Sequence, residues 1–136
     1  MIYLDTSLLV SAFVQDVHSD RVLEWLDGRS GTWTSRWAAT EFTSALSLQR
    51  RIGRLTDAER DAAEAAFDDW LSRQSLLPVA ERHLVLARSL VRSGHGLRAA
   101  DAVHLALAQD HRLILATLDT RLAEAARAAG VEAATP

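Results

Sequence analysis

Short apolar runs alternate along this chain with longer segments in which apolar residues recur every three or four positions. The runs Ile2 to Leu4, Thr32 to Thr34, Leu76 to Val79, Leu113 to Ala116 and Val131 to Ala133 read as strands. Between them the spacing predicts helices over Ser7 to Val14, Asp20 to Leu26, Ala38 to Arg51, Thr56 to Arg73, Glu81 to Arg92, Ala99 to Gln109 and Thr120 to Ala129. Gly53, Gly94 and Gly130 stand where three of these helices should stop, because glycine adopts the left-handed turn that follows a helix. Thr56-Asp57-Ala58-Glu59 has the form of a capping box, with Thr56 as the cap and Glu59 reaching back. Pro78 has no N–H to give to a ladder, so the third strand is expected at a sheet edge. Strands alternating with helices indicate an α/β fold with a parallel sheet. Such sheets bind ligands beyond the carboxyl ends of their strands. Asp5 ends the first strand there, and Asp119 follows the fourth after Thr117-Leu118.

Size and composition narrow the picture. A chain of 136 residues is expected to form one domain over 1–136 and to bury roughly two thirds of its unfolded surface. No run of eighteen apolar residues would span a membrane, and the first residues lack the pattern of a secretory signal. The absence of cysteine excludes disulfides and thiolate metal sites and agrees with a cytoplasmic protein. The net charge of −3 does not advertise nucleic-acid binding, but a divalent cation held by clustered acids would add positive charge where it matters. All fifteen basic residues are arginine, which reflects a GC-rich genome more simply than a selection for phosphate contacts.

Four acids stand where packing alone would not put them: Asp5, Glu41, Asp101 and Asp119. Asp5 directly follows a buried-strand pattern; it could cap the next helix, but Thr6 and Ser7 compete for that role. Glu41 shares a helical stripe with Ala45, Leu48 and Ile52, which places it at the start of an expected buried face. Asp101 similarly tops Leu105 and Ala108, after the glycine-bearing loop Gly94-His95-Gly96-Leu97-Arg98. For both, the competing reading is an acid interacting with the helix dipole. Asp119, between strand and helix, reads first as an ordinary N-cap. Jointly the acids point elsewhere. Three or four carboxylates in one pocket repel each other without a cation, and oxygen ligands suit Mg²⁺ or Mn²⁺. The set makes physical sense mainly as a metal site for phosphodiester chemistry.

These segments resemble a known family. Ile2-Tyr3-Leu4-Asp5-Thr6-Ser7, the stretch Ser35 to Glu41, the stretch Leu97 to Ala106 around Asp101, and Ala116-Thr117-Leu118-Asp119 are similar, in order and spacing, to the four motifs of PIN-domain ribonucleases, and more narrowly of VapC-type toxins. The resemblance covers essentially the whole chain and misses no acid. It implies a three-layer α/β/α sandwich with a central parallel sheet, and metal-dependent endoribonuclease activity on RNA. It also implies a small cognate antitoxin whose C-terminal part covers the active-site groove, and a homodimer. Contact with DNA would come only through the antitoxin. On this reading Asp5 and Asp101 are the main metal ligands, with Glu41 and Asp119 completing the site. Water, not the RNA 2′-OH, would attack, leaving 5′-phosphate and 3′-hydroxyl ends.

Other residues are weighed against that frame. Arg36 and Arg98 flank two of the acids and would contact the substrate backbone, or be ordinary solvated arginines. Ser7 and Thr117 place hydroxyls near the same edge, where they would steady the acids or serve as turn and cap residues. His104, one turn after Asp101, reads as a packed or partner-bonded histidine rather than a ligand. The other histidines form no paired acid–base pattern. Trp25, Trp33, Trp37 and Trp70 read as packing rather than base-stacking residues. The acidic helix after the capping box is a solvated face; by the resemblance, its apolar side would form a groove for an antitoxin helix together with the Ser7 to Leu26 helices. A phosphatase using Asp5 as nucleophile is disfavoured, since Ser7 stands where a second aspartate is needed and there is no lysine. The remaining alternative is a non-catalytic module that binds a cation or RNA.

Overall fold

The computed structural model describes residues 1–136. A parallel five-stranded sheet has the order β3-β2-β1-β4-β5. The strands are β1 (Ile2–Leu4), β2 (Thr32–Ser35), β3 (Ser75–Leu77), β4 (Ile114–Ala116) and β5 (Ala133–Ala134). The helices are α1 (Thr6–Phe13), α2 (Ser19–Leu26), α3 (Arg36–Arg51), α4 (Asp57–Leu71), α5 (Glu81–Arg92), α6 (Ala99–Asp110) and α7 (Thr120–Ala128). β1 is central: Ile2 lies beside Thr32 of β2 and beside Ile114 of β4. The chain runs outward through β2 to β3, then returns to place β4 on the other side of β1. The order therefore reverses between β1 and β4, which makes the crevice beyond their carboxyl ends the topological switch point.

Period-two alternation splits the core into two layers, one on each side of the sheet. Tyr3 and Leu115 face α5, α6 and α7, packing with Leu90, Leu105 and Leu122. Their neighbours Leu4 and Ala116 face α1 to α4, packing with Leu8, Phe42 and Phe67. The result is the expected three-layer α/β/α sandwich. In the second layer the Phe42 and Phe67 rings stack at 3.9 Å between centroids, and Phe13 meets both edge-on. All four tryptophans are half-buried against these layers, as expected.

The differences from expectation have local causes. β3 ends at Leu77, one residue before Pro78, and it is an edge strand. β5 forms two residues later than its apolar run begins, over Ala133–Ala134. α3 begins at Arg36, two residues early, because Ser35 caps it by accepting the Ala38 N–H at 3.1 Å. Its buried stripe is Ala38, Phe42 and Leu46, whereas Leu48 and Ile52 are exposed. The expected stripe through Glu41 was thus one position out of phase, and Glu41 lies at the margin of the buried face. The capping box forms as read: Glu59 N donates to Thr56 Oγ1, and Thr56 N donates to Glu59 Oε2 at 2.8 Å. Gly53, Gly94 and Gly130 all have positive φ after their helices.

Candidate active site

Asp5 is the buried anchor of the switch point, 4 % exposed. It is the N-cap of α1, accepting the Leu8 N–H on Oδ1; Thr6 and Ser7, its competitors for that role, are the first two residues of the helix. Ser7 Oγ donates to the same Oδ1 at 2.8 Å. Thr117 Oγ1 donates to Oδ2 at 2.7 Å. Each hydroxyl in turn accepts a backbone amide from the β4–α7 connection: Ser7 from Leu118 at 2.9 Å, and Thr117 from Asp119 at 3.0 Å. Ser7 and Thr117 therefore both hydrogen-bond Asp5 directly. Burial pushes the Asp5 carboxyl above the usual carboxylate range, while the nearby His104 ring and the Thr117, Ser7 and Leu8 donors pull it back. The geometry nonetheless suits an ionised group, with three donors and no acceptor turned towards it.

Glu41 lies in the second turn of α3, past the free amides of the first, so the helix-dipole reading does not account for it. Its Oε2 accepts from Thr6 Oγ1 at 2.8 Å and meets His104 Nε2 at 2.5 Å. Burial alone would raise the Glu41 carboxyl, but the bond and electrostatic pull of His104 and the Thr6 bond outweigh it, and the net direction is down. His104 is itself 2 % exposed, and its Nδ1 lies 2.8 Å from the Tyr3 hydroxyl.

Asp101 occupies the first turn of α6 and is half-buried. No side chain hydrogen-bonds it. Burial and the neighbouring Asp119 charge raise its carboxyl, against weaker pulls from His104 and from the Arg98 amide and guanidinium. Asp119 caps α7 by accepting the Leu122 N–H on Oδ1 at 3.0 Å, as its isolated reading suggested, and its charge acts on Asp101. Arg36 and Arg98 are exposed at the starts of α3 and α6, and neither takes part in an ion pair.

The four acids therefore share one electrostatic neighbourhood, linked by His104 and Thr117. No three of them bring ligand atoms within 4.8 Å of one another. Like charges held apart in this way are what Coulomb repulsion dictates. Sequence reasoning missed Tyr3 and Thr6, while His104 is the packed, partner-bonded histidine it expected. The signal for Tyr3 was available: a hydroxyl in an otherwise apolar strand needs a buried partner.

One tighter cluster, His83, Asp110 and His111, lies at the far end of α6. It is poorly suited to a metal. His83 Nδ1 accepts the Ala80 N–H at 2.9 Å, so the ring proton sits on Nε2 and is donated to Asp110 Oδ2 at 2.9 Å. Arg82 Nε donates to the same oxygen at 2.9 Å. The arrangement is a clasp that satisfies a fully buried histidine.

Residues 2–128 match the model of the PIN domain family. The chain is 35 % identical over 140 residues to "Ribonuclease VapC45" of Mycobacterium tuberculosis (strain CDC 1551 / Oshkosh), covering 98 % of this chain and 94 % of that protein. Among solved structures it resembles Mycobacterium tuberculosis VapC20, described as a sarcin-ricin loop cleaving toxin, with a TM-score of 0.73, 19 % identity and full coverage of both chains. It also resembles VapBC2 of Rickettsia felis bound to a DNA fragment from its promoter, with a TM-score of 0.71 and 17 % identity over 100 % of this chain and 99 % of that one.

Proposed function

The chain belongs to the PIN domain family, among the VapC ribonucleases, and on that premise we propose that it is a metal-dependent endoribonuclease, the toxin of a type II toxin–antitoxin pair. The observation that carries this reading is Asp5: a buried carboxylate at the switch point, with both oxygens held by donors from α1 and from the β4–α7 connection. A cap alone needs one oxygen. A second oxygen held by a buried threonine is the construction of a functional acid.

The donor set fits a hard cation. It consists of carboxylate oxygens, and both nitrogens of His104 are already engaged by other side chains. Asp101, whose proton affinity is raised by burial and by Asp119, has no side-chain donor to relieve it. Asp5 and Asp101 would hold Mg²⁺ or Mn²⁺, with Glu41 and Asp119 completing the site. When bound, the ion supplies Lewis-acid stabilisation of the phosphodiester and makes a coordinated water more acidic.

The protein's own groups do the rest. Glu41 stays ionised, because His104 and Thr6 hold the charge on Oε2, and it orients the attacking water through Oε1. Asp119 takes the proton at Oδ2, the oxygen left free once Oδ1 caps α7. Arg36 and Arg98 are exposed and unpaired beside the acids, where they meet the phosphate backbone. The water oxygen bonds to phosphorus as the P–O3′ bond breaks, and the departing 3′-oxygen takes a proton from solvent, so the products carry 5′-phosphate and 3′-hydroxyl ends.

The partner on this reading is a small antitoxin. A groove of about 430 Å³ between α1, α2 and α4, lined by Leu9, Ala12, Phe13, Leu23, Leu26 and Trp70, supports an amphipathic helix as its occupant. Exposed Leu84, Val85 and Val91 along α5 support a homodimer. DNA would be met only through the antitoxin. No helix is long and apolar enough to cross a membrane, and the work of the enzyme falls in the cytoplasm.

The test is RNA cleavage with Mg²⁺ or Mn²⁺ by wild type, by Asp5→Asn and with EDTA, followed by end-group analysis. Metal-dependent cleavage to 5′-phosphates, reduced at least about 100-fold in the variant, is expected. Products ending in 2′,3′-cyclic phosphate, or cleavage indifferent to both EDTA and Asp5, would overturn the mechanism.

A further inference from the structure

We propose that His104, backed by Tyr3, is the residue that positions Glu41 for the reaction, a role that rests on the function assigned to Glu41 above. The geometry is a buried chain of hydrogen bonds. Ala38 N donates to Ser35 Oγ at 3.1 Å, Ser35 Oγ lies 2.8 Å from the Tyr3 hydroxyl, and that hydroxyl lies 2.8 Å from His104 Nδ1. His104 Nε2 then reaches Glu41 Oε2. Tyr3 and Ser35 are 0 % exposed, so no water can stand in for a missing partner.

One arrangement of protons satisfies every hydrogen in the chain. Ser35 donates to Tyr3, Tyr3 donates to His104 Nδ1, and the ring proton on Nε2 is donated to Glu41. If the ring donated at Nδ1 instead, Tyr3 would have to donate to Ser35. The Ser35 hydrogen would then have no acceptor in the buried interior. Neither ring nitrogen keeps a free lone pair turned to the site, so His104 acts neither as a metal ligand nor as a base.

The consequence falls on Glu41. Its Oε2 is held from two directions, by His104 on α6 and by Thr6 on α1, so the carboxylate cannot turn. Only Oε1 remains open. α3 alone would not fix this orientation, because Glu41 lies at the margin of its buried stripe and is part-exposed. The hydroxyl of Tyr3 has no other purpose in packing: a phenylalanine would fill the same apolar layer, and a buried hydroxyl is costly unless bonded.

The experiment compares His104→Leu, His104→Gln, Tyr3→Phe, Glu41→Ala and the double variant His104→Leu/Glu41→Ala. Two readouts are taken: steady-state RNA cleavage with Mn²⁺, and Mn²⁺ binding to the RNA-free protein, followed by the electron paramagnetic resonance of the free ion. His104→Leu should lower kcat by about 10- to 100-fold with KM within about twofold, and weaken Mn²⁺ binding by about tenfold. His104→Gln, whose amide N–H reaches the position of Nε2, should recover most of both. Because His104 acts through Glu41, the double variant should be no worse than Glu41→Ala alone. Unchanged kcat and Mn²⁺ affinity in His104→Leu, or a double variant that loses the product of the two single effects, would overturn the proposal. Should His104→Leu fail to fold, Tyr3→Phe decides: a lowered kcat at constant KM supports the chain, and an unchanged kcat overturns it. A wild type that neither binds Mn²⁺ nor cleaves RNA would overturn the functional reading itself, and this role with it.

Discussion

Thr117 Oγ1 donates a 2.7 Å hydrogen bond to Asp5 Oδ2 across 112 residues of sequence. The bond ties the carboxyl end of β1 to that of β4, the two strands between which the sheet reverses its order. The same hydroxyl accepts the Asp119 amide. One buried side chain thus serves two of the four acids.

Thr117→Val keeps the shape and removes both bonds. The Asp119 amide loses its acceptor and Asp5 loses a donor. A destabilisation of about 1–3 kcal/mol is expected, the usual cost of leaving such groups unpaired. Urea unfolding of the two proteins measures it; a variant as stable as wild type would show that water replaces the hydroxyl.

Asp5 sets a pH dependence in metal-free buffer. Its folded-state pKa is raised above the reference value of 3.8, chiefly by burial. A carboxyl shifted in that direction stabilises the fold fully below its unfolded pKa, and the contribution is lost as pH rises through the interval up to the folded pKa. Asp5→Asn lacks this loss. Asp101 shifts the same way and Glu41 the opposite way, but both are present in each protein. Melting curves in EDTA from about pH 4 to pH 7 should therefore show the melting temperature of the variant rising relative to wild type as pH increases. A constant difference across the range would contradict the assignment. Added Mg²⁺ should narrow the gap by stabilising wild type more.

Asp110→Ala separates stability from chemistry. It strips the acceptor from the buried His83 Nε2–H and from Arg82. A loss of about 1–3 kcal/mol is expected on unfolding in urea. Asp110 is nine residues along α6 from Asp101, roughly 13 Å at the helical rise, so RNA cleavage at a temperature where both proteins are folded should not change. A folded variant that had lost cleavage would place the clasp in the site.

Phe67→Ala tests the layer under α1 to α4. Phe67 stacks on Phe42, meets Phe13 edge-on and is 1 % exposed. The cavity left behind should cost about 3–5 kcal/mol. Chemical denaturation reads this directly, and a loss below about 1 kcal/mol would mean that the aromatic group repacks.

The strands and helices were legible because the periodicities are strong: the residues of β1 alternate between the two layers, and α5 begins and ends where its apolar spacing does. The four acids were legible because a carboxylate next to an apolar run conflicts with burial. Several things were not. The buried stripe of α3 was read one position out of phase, through Glu41 onto exposed Leu48 and Ile52 instead of through Ala38, Phe42 and Leu46. The cap of α1 was left open among Asp5, Thr6 and Ser7, because all three residue types cap well, and the structure gives the role to Asp5. The chain from Ser35 through Tyr3 and His104 to Glu41 joins β2, β1, α6 and α3. No local spacing encodes such a juxtaposition, and it becomes visible only once the sheet order is known.

The reversal of strand order also has a consequence in time. β1 and Asp5 leave the ribosome well before β4 and Thr117, which lies 112 residues further along the chain than Asp5. A chain still growing on the ribosome can pair β1 with β2 and pack α1 to α4, but it has no β4 beside β1 and no hydroxyl on Asp5 Oδ2. The nascent chain therefore cannot hold Asp5 as the folded protein does until β4 and Thr117 have emerged. Whatever chemistry Asp5 serves is withheld for the stretch of translation that separates the two strands.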